Sequence, residues 1–184
     1  MYVKKIKDTI SYEAPNHQKC HSLRLSGFEE YGPENFWVGH SQFLPGGGAG
    51  PDASPLEQYE FATSFLKVGD YSTAERAFRE FVLSNPDHEL AGSAQYWYAE
   101  TFRIRQLYTD AASAYLEGYQ KYPKGKKAPI NLLKLGVSMV QIGEKDQGCK
   151  MINGVELQYP NANQSVIQKA KYESKKFECI KQDS

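Results

Sequence analysis

The sequence predicts an all-α fold, a solenoid of stacked two-helix hairpins preceded by an irregular amino-terminal arm. Three observations predict it. Pro86, Pro123 and Pro160 stand at equal intervals of 37 residues in a chain with 9 prolines. Small residues recur in the same step, as Ala62, Ala99 and Gly136 and again as Ala74, Ala111 and Gly148. Large apolar or aromatic residues recur beside them. Agreement in size as well as polarity separates a structural repeat from plain amphipathicity.

The arm comes first. Residues 1–53 hold no sustained helical or strand period, although "ISY" and "LRLSGF" have the composition of short strands. "FLPGGGAGPDASP" (43–55) concentrates glycine and proline and reads as a flexible linker. A segment this short cannot bury a core of its own, which argues against an active site confined to it. The opening "MYVKKIKDTISYEAPNH" has basic residues but no apolar stretch behind them, so it lacks a signal-peptide pattern.

Order begins at Ser54. "SPLEQ" sets Ser54 as N-cap, Pro55 at the first helical position and Glu57 three residues after the cap, which is a capping box. The repeat domain is therefore 54–184, with units at about 56–92, 93–129 and 130–166. In the first unit Tyr59, Ala62, Phe65 and Leu66 form one apolar stripe, Gly69-Asp70 breaks the helix, and Ala74, Ala77, Phe78, Phe81 and Val82 form the next. The second repeats this with Tyr96, Ala99 and Phe102, a turn at "QLYTD", then Ala111, Ala114, Tyr115 and Tyr119. The third uses Leu133, Gly136 and Met139, a turn at Gly143, then Gly148, Ile152 and Val155, with Pro129 opening its first helix. A hairpin cannot bury its own apolar face, so units must stack and the last needs a cover. "SVIQKAKYESKKFECI" supplies a capping helix at about 164–181, with Val166, Ile167, Ala170, Phe177 and Ile180 inward and Lys169, Lys171, Lys175 and Lys176 wet. Seven helices result.

This spacing resembles the tetratricopeptide repeat. With Pro86 as that pattern's thirty-second residue, Ala62, Phe65, Ala74 and Phe78 fall on its small and aromatic positions. The usual unit is about 34 residues, so each unit here carries three more, in connections such as "DHELAGS" and "KGKKAPI". "AGSAQYWYAET", "EGYQKYPKGKKAP" and "LLKLG" further resemble the carboxy-terminal domain of the YbgF/CpoB family of Tol–Pal-associated proteins, from about Ser54 to Cys179. That resemblance implies a non-enzymatic adaptor in the Gram-negative periplasm. It would bind TolA, act with a peptidoglycan synthase and help couple outer-membrane constriction to septal peptidoglycan synthesis. The family also carries a signal peptide and a trimerising coiled coil. Residues 1–53 show neither pattern, so trimerisation does not transfer and a monomer is expected. A repeat scaffold with other partners, in the cytoplasm, is the alternative reading.

Composition sets limits. Lys plus Arg balance Asp plus Glu at 22 each, so no net field favours nucleic acid or an anionic membrane. No apolar run is long enough to insert in a bilayer. A repeat solenoid offers its inner face to extended or helical peptide. Repeat positions two, five, nine and twelve should line that face. They are Leu56, Tyr59, Thr63 and Leu66; Ser93, Tyr96, Glu100 and Arg103; and Ile130, Leu133, Val137 and Val140. Tyr59 and Tyr96 are the candidate anchors, with inter-helix packing as their other role, and Arg103 could fix a carboxylate bidentately. The Lys/Asn set that clamps a peptide's terminal carboxylate is not at these positions. Lys121, Lys124, Lys126 and Lys127 form either a solvated turn or a surface for an acidic partner.

Cys149, near the start of one helix, and Cys179, near the end of the antiparallel capping helix, are placed to meet in a disulfide or to remain buried thiols. His17, Cys20 and His21 lack a second pair of metal ligands, and "GGGAG" lacks the Gly-Lys-Ser/Thr of a phosphate loop. Neither a cofactor, a metal nor a catalytic constellation is predicted.

Overall fold

The structure is a computed structural model, which describes residues 11–13, 17–26, 38–49 and 53–179. These fall into two compact units that divide between Phe61 and Ala62, inside the first helix. In the first unit β1 (Ser11–Glu13), β2 (His17–Ser26) and β3 (Val38–Ala49) form an antiparallel sheet in the order β1-β2-β3. Ser11 faces Leu23, and Cys20 faces Phe43. The expected short strands form at Ser11, Tyr12 and 23–26, whereas the irregular arm and its flexible linker are corrected, because residues 43–49 of that linker are also strand. His17 pairs with Ala49 and Gln18 with Gly48. Glycine-rich composition measures the entropy of a lone segment, whereas a neighbouring strand offers backbone partners that require no side chain.

Seven helices follow among the described residues: α1 (Pro55–Val68), α2 (Tyr71–Ser84), α3 (Ala91–Ile104), α4 (Tyr108–Lys121), α5 (Ala128–Gln141), α6 (Lys145–Gln158) and α7 (Gln164–Lys176). The capping box at α1 forms as drawn. Ser54 N–H donates to Glu57 Oε2 at 2.8 Å, and Glu57 N–H donates to Ser54 Oγ at 3.3 Å.

Three turns close the hairpins, at Gly69 (φ 78°), Gln106 (φ 62°) and Gly143 (φ 92°), again 37 residues apart. Left-handed backbone at the same point of each unit ends the first helix. Glycine adopts it without strain, while Gln106 costs of order 1 kcal/mol there. Asp70 then caps α2 by accepting from Thr73 N–H at 3.1 Å.

Two of the recurring prolines present their backbone carbonyls to the next unit. Tyr122, which follows α4, donates its hydroxyl hydrogen to the carbonyl of Pro86 at 3.1 Å, and Tyr159 after α6 donates to Pro123 at 3.0 Å. Each tyrosine–proline pair thus ties a unit to the one before it. The extra residues are ordered as successive turns, with Ala91 N–H to His88 O at 2.8 Å and Ala128 N–H to Gly125 O at 2.9 Å.

Small residues stand where helices cross. A Cβ on Gly148 would lie 2.6 Å from the Gly136 carbonyl oxygen, and one on Gly136 would lie 2.7 Å from that of Gly148. The core around these crossings holds Phe78, Phe81, Tyr115, Leu132, Leu133, Leu135, Ile152 and Val155, all nearly inaccessible to solvent. On α7, Ile167 and Ala170 are buried, Val166 and Phe177 half-buried, and Ile180 lies outside the described residues. The capping helix ends at Lys176 rather than near 181, because Glu178 turns left-handed (φ 53°) and Cys179 N–H closes back onto Ser174 O at 2.9 Å. That turn brings Cys179 to Cys149, and the two form a disulfide with Cα atoms 5.3 Å apart.

Candidate functional site

The second repeat holds an ionised group in its interior. Glu100, midway along α3, is 5% exposed. Arg103, one turn on, donates to both its oxygens, from Nε at 2.9 Å and Nη2 at 2.6 Å. From α4 the Tyr115 hydroxyl donates to Oε1. From α5 the Lys134 ammonium stands 3.5 Å from the same oxygen. One carboxylate therefore answers two cations and a phenol.

The protonation states follow. Burial pushes the Glu100 carboxyl up, but hydrogen bonds from Arg103 and Tyr115, with the Lys134 charge, more than reverse this and hold it below its ordinary value. Burial pulls Lys134 below the ordinary lysine value, and Glu100 only partly opposes it. Burial, then the Glu100 charge, raises both Tyr96 and Tyr115, which stay neutral donors. At neutral pH the cluster is one anion facing two cations.

Beside it lies a cavity of about 280 Å³ lined by Arg103, Tyr108, Leu133, Lys134, Val137, Gln141, Lys169, Glu173 and Lys176. Helices α3, α4 and α5 supply the wall and α7 the rim. The Lys134 side chain is only 12% exposed and that of Arg103 29%, while that of Lys176 at 52% reaches solvent. On the rim Glu173 Oε2 is buried with no hydrogen-bond partner, and Lys176 Nζ stands 3.7 Å away. A larger cleft of about 670 Å³ runs along the connections between Tyr119, Pro123, Pro129, Tyr159 and Pro160. No buried charge faces it.

The predicted inner-face residues divide. Arg103, Leu133 and Val137 line the cavity. Tyr96 does not act as an exposed anchor. It is 7% exposed, edge-on to Trp97 with ring centroids 5.2 Å apart and tilted against Tyr115 at 6.1 Å. Lys127, from the lysine run, lies 5.2 Å over the Tyr96 ring. Glu100 is likewise interior, and Leu133 contributes from a fully buried position. These residues sink because α3 and α5 each pack between neighbours on both sides, so little of their surface stays free. Thr63 and Leu66 on α1 are half-buried, as is Tyr59, which lies in the other compact unit.

Lys134, Lys169, Glu173 and Lys176 were not among the predicted site residues. Lys134 sits one position beyond the assigned face, and a helix face about 100° wide admits both it and Leu133. Lys169 and Lys176 belong to the expected wet side of the cap, and Glu173 carries no expectation from the sequence.

Family comparison agrees with the repeat fold. A tetratricopeptide-repeat profile matches residues 59–126, and a second of the same description matches residues 131–162. The chain carries tetratricopeptide repeats. No curated protein matches the sequence closely enough to transfer a function. Tetratricopeptide repeat domains are generally non-catalytic modules of protein–protein interaction, and the cavity lies on such a module. Among the described residues, no helix is long and apolar enough to cross a membrane.

Proposed function

We propose that this chain is a non-enzymatic adaptor of the periplasmic Tol–Pal system, of the YbgF/CpoB kind. It binds TolA and, with a peptidoglycan synthase, helps coordinate outer-membrane constriction with septal wall synthesis. The observation that carries the binding role is the charged cavity on the tetratricopeptide stack, where four cations, two of them largely enclosed, face open space with only two carboxylates among them. The resemblance of "AGSAQYWYAET" and "EGYQKYPKGKKAP" to that family supports the choice of partner. The Cys149–Cys179 disulfide supports an oxidising compartment such as the periplasm.

The test is calorimetric titration of the full chain with purified periplasmic segments of TolA. Saturable binding with a defined stoichiometry is expected. Absence of binding to every segment, with the chain shown to be folded, would overturn the Tol–Pal assignment and leave a repeat scaffold with other partners.

A further inference from the structure

The charged cluster has no counterpart in the neighbouring repeats. Glu100 occupies the place of Thr63 in the first unit and Val137 in the third; Arg103 that of Leu66 and Val140; Tyr115 that of Phe78 and Ile152. Apolar or small residues satisfy the fold at those places twice over. The fold therefore does not demand an ionised centre in the second unit.

The charges do not balance where they are. Four cations, Arg103, Lys134, Lys169 and Lys176, line the cavity or its rim. Against them stand two carboxylates, Glu100 and Glu173. A cation as enclosed as Lys134 loses hydration that one shared carboxylate at 3.5 Å only partly replaces. An anion entering the cavity would restore it. Glu173 adds a different demand, since its buried oxygen accepts no hydrogen bond and would take one from an N–H group. An acidic side chain and a backbone N–H occur together in a peptide.

From this we infer that the cavity bounded by α3, α5 and α7 captures acidic side chains of a linear peptide segment. Arg103 and Lys134 receive one carboxylate at depth, Lys169 and Lys176 receive another at the rim, and Glu173 accepts from the peptide backbone. Val137, half-buried on the cavity wall, faces the segment's aliphatic stems. The inference deepens the adaptor role and rests on it only for the partner's identity. It makes α7 part of the binding site as well as a cap.

Fluorescence anisotropy on the full chain tests it with three labelled probes. They are a C-terminally amidated decapeptide of alternating glutamate and glycine, its glutamine counterpart, and that glutamine peptide with a free terminal carboxylate. The glutamate peptide should bind about tenfold more tightly than either of the others. The double variant Lys134→Gln/Lys169→Gln should abolish that preference. Because Lys134 is partly buried, Lys169→Glu alone, at an exposed position, should also weaken glutamate-peptide binding several-fold. Equal binding of glutamate and glutamine peptides, or an unchanged preference in both variants, would overturn the inference. Selective binding of the free-carboxylate peptide would overturn it in favour of terminal capture. Parallel titration with TolA separates the two readings. TolA binding that ignores these variants leaves the adaptor and removes the acidic-peptide site, whereas peptide discrimination without TolA binding does the reverse.

Discussion

The second and third repeats follow one 37-residue plan yet hold their helices together by different means. In the second, Ala99 and Ala111 are fully buried and Glu100, Arg103 and Tyr115 form a charged centre. In the third, the crossing narrows to Gly136 against Gly148, the matching places carry Val137, Val140 and Ile152, and Cys149 is bonded to Cys179. One carries ionised residues at these places; the other carries apolar ones there, is tightly crossed and is stapled at its end. The difference teaches that the stack itself needs only size matching, and that the charged centre is an addition to it.

Breaking the staple should give the largest effect. Replacing Cys149 and Cys179 with Ala opens a loop of sequence separation 30, which chain-entropy arguments put at about 3.5 kcal/mol. The loss should concentrate in α7, read as hydrogen exchange that accelerates there first. Reduction by dithiothreitol should do the same to the unaltered chain.

Glu100→Gln should follow, at about 3 kcal/mol in chemical unfolding, because it strands Arg103 and Lys134 without their counter-charge. The sign of its pH dependence is set by the lowered carboxyl. Stability from Glu100 is fully present above the ordinary glutamate value of about 4.3 and is lost as pH falls through the lower folded value. Below that range the unaltered chain and the variant should converge. The third repeat, with Val137 in that place, contributes no such dependence.

At the glycine crossing, Gly148→Ala should lose about 2 kcal/mol, since the added methyl meets a carbonyl oxygen and not a flexible side chain. The smallest effect belongs to Tyr122→Phe, at about 1 kcal/mol for the lost hydrogen bond to Pro86. Thermal unfolding checks both.

Much of this architecture was legible from the sequence because local chemistry decides it. Ser54 and Glu57 cap α1, Gly69 and Gly143 turn left-handed, and Gly136 and Gly148 allow close approach whatever surrounds them. What escaped depends on neighbours far along the chain. The glycine-rich end of β3 is strand because β2 pairs with it, Gln18 with Gly48 and His17 with Ala49. Tyr96 is interior because Tyr115 and Lys127 cover it, and periodicity cannot tell a face that meets solvent from one that meets another helix. The cavity needs α7 to come beside α5, 30 or more residues away, so Lys134 and Lys169 carried no shared signal in their spacing. The extra residues of each unit read as loop length alone, and nothing in their spacing announces the hydrogen bonds that Tyr122 and Tyr159 make to the backbone of the preceding unit.

The most direct test gives the second repeat its neighbours' chemistry. In the combined variant Glu100→Thr/Arg103→Leu/Tyr115→Phe/Lys134→Met, the first three changes copy Thr63, Leu66 and Phe78, and the fourth removes the charge left unbalanced. Thermal unfolding and glutamate-peptide anisotropy are measured on the same sample. The account predicts cooperative unfolding with Tm lowered by less than about 4 °C, since an apolar replacement of a buried ionic centre is often neutral or stabilising, together with loss of the peptide preference. A chain that no longer folds cooperatively, or one that keeps the preference, would contradict it.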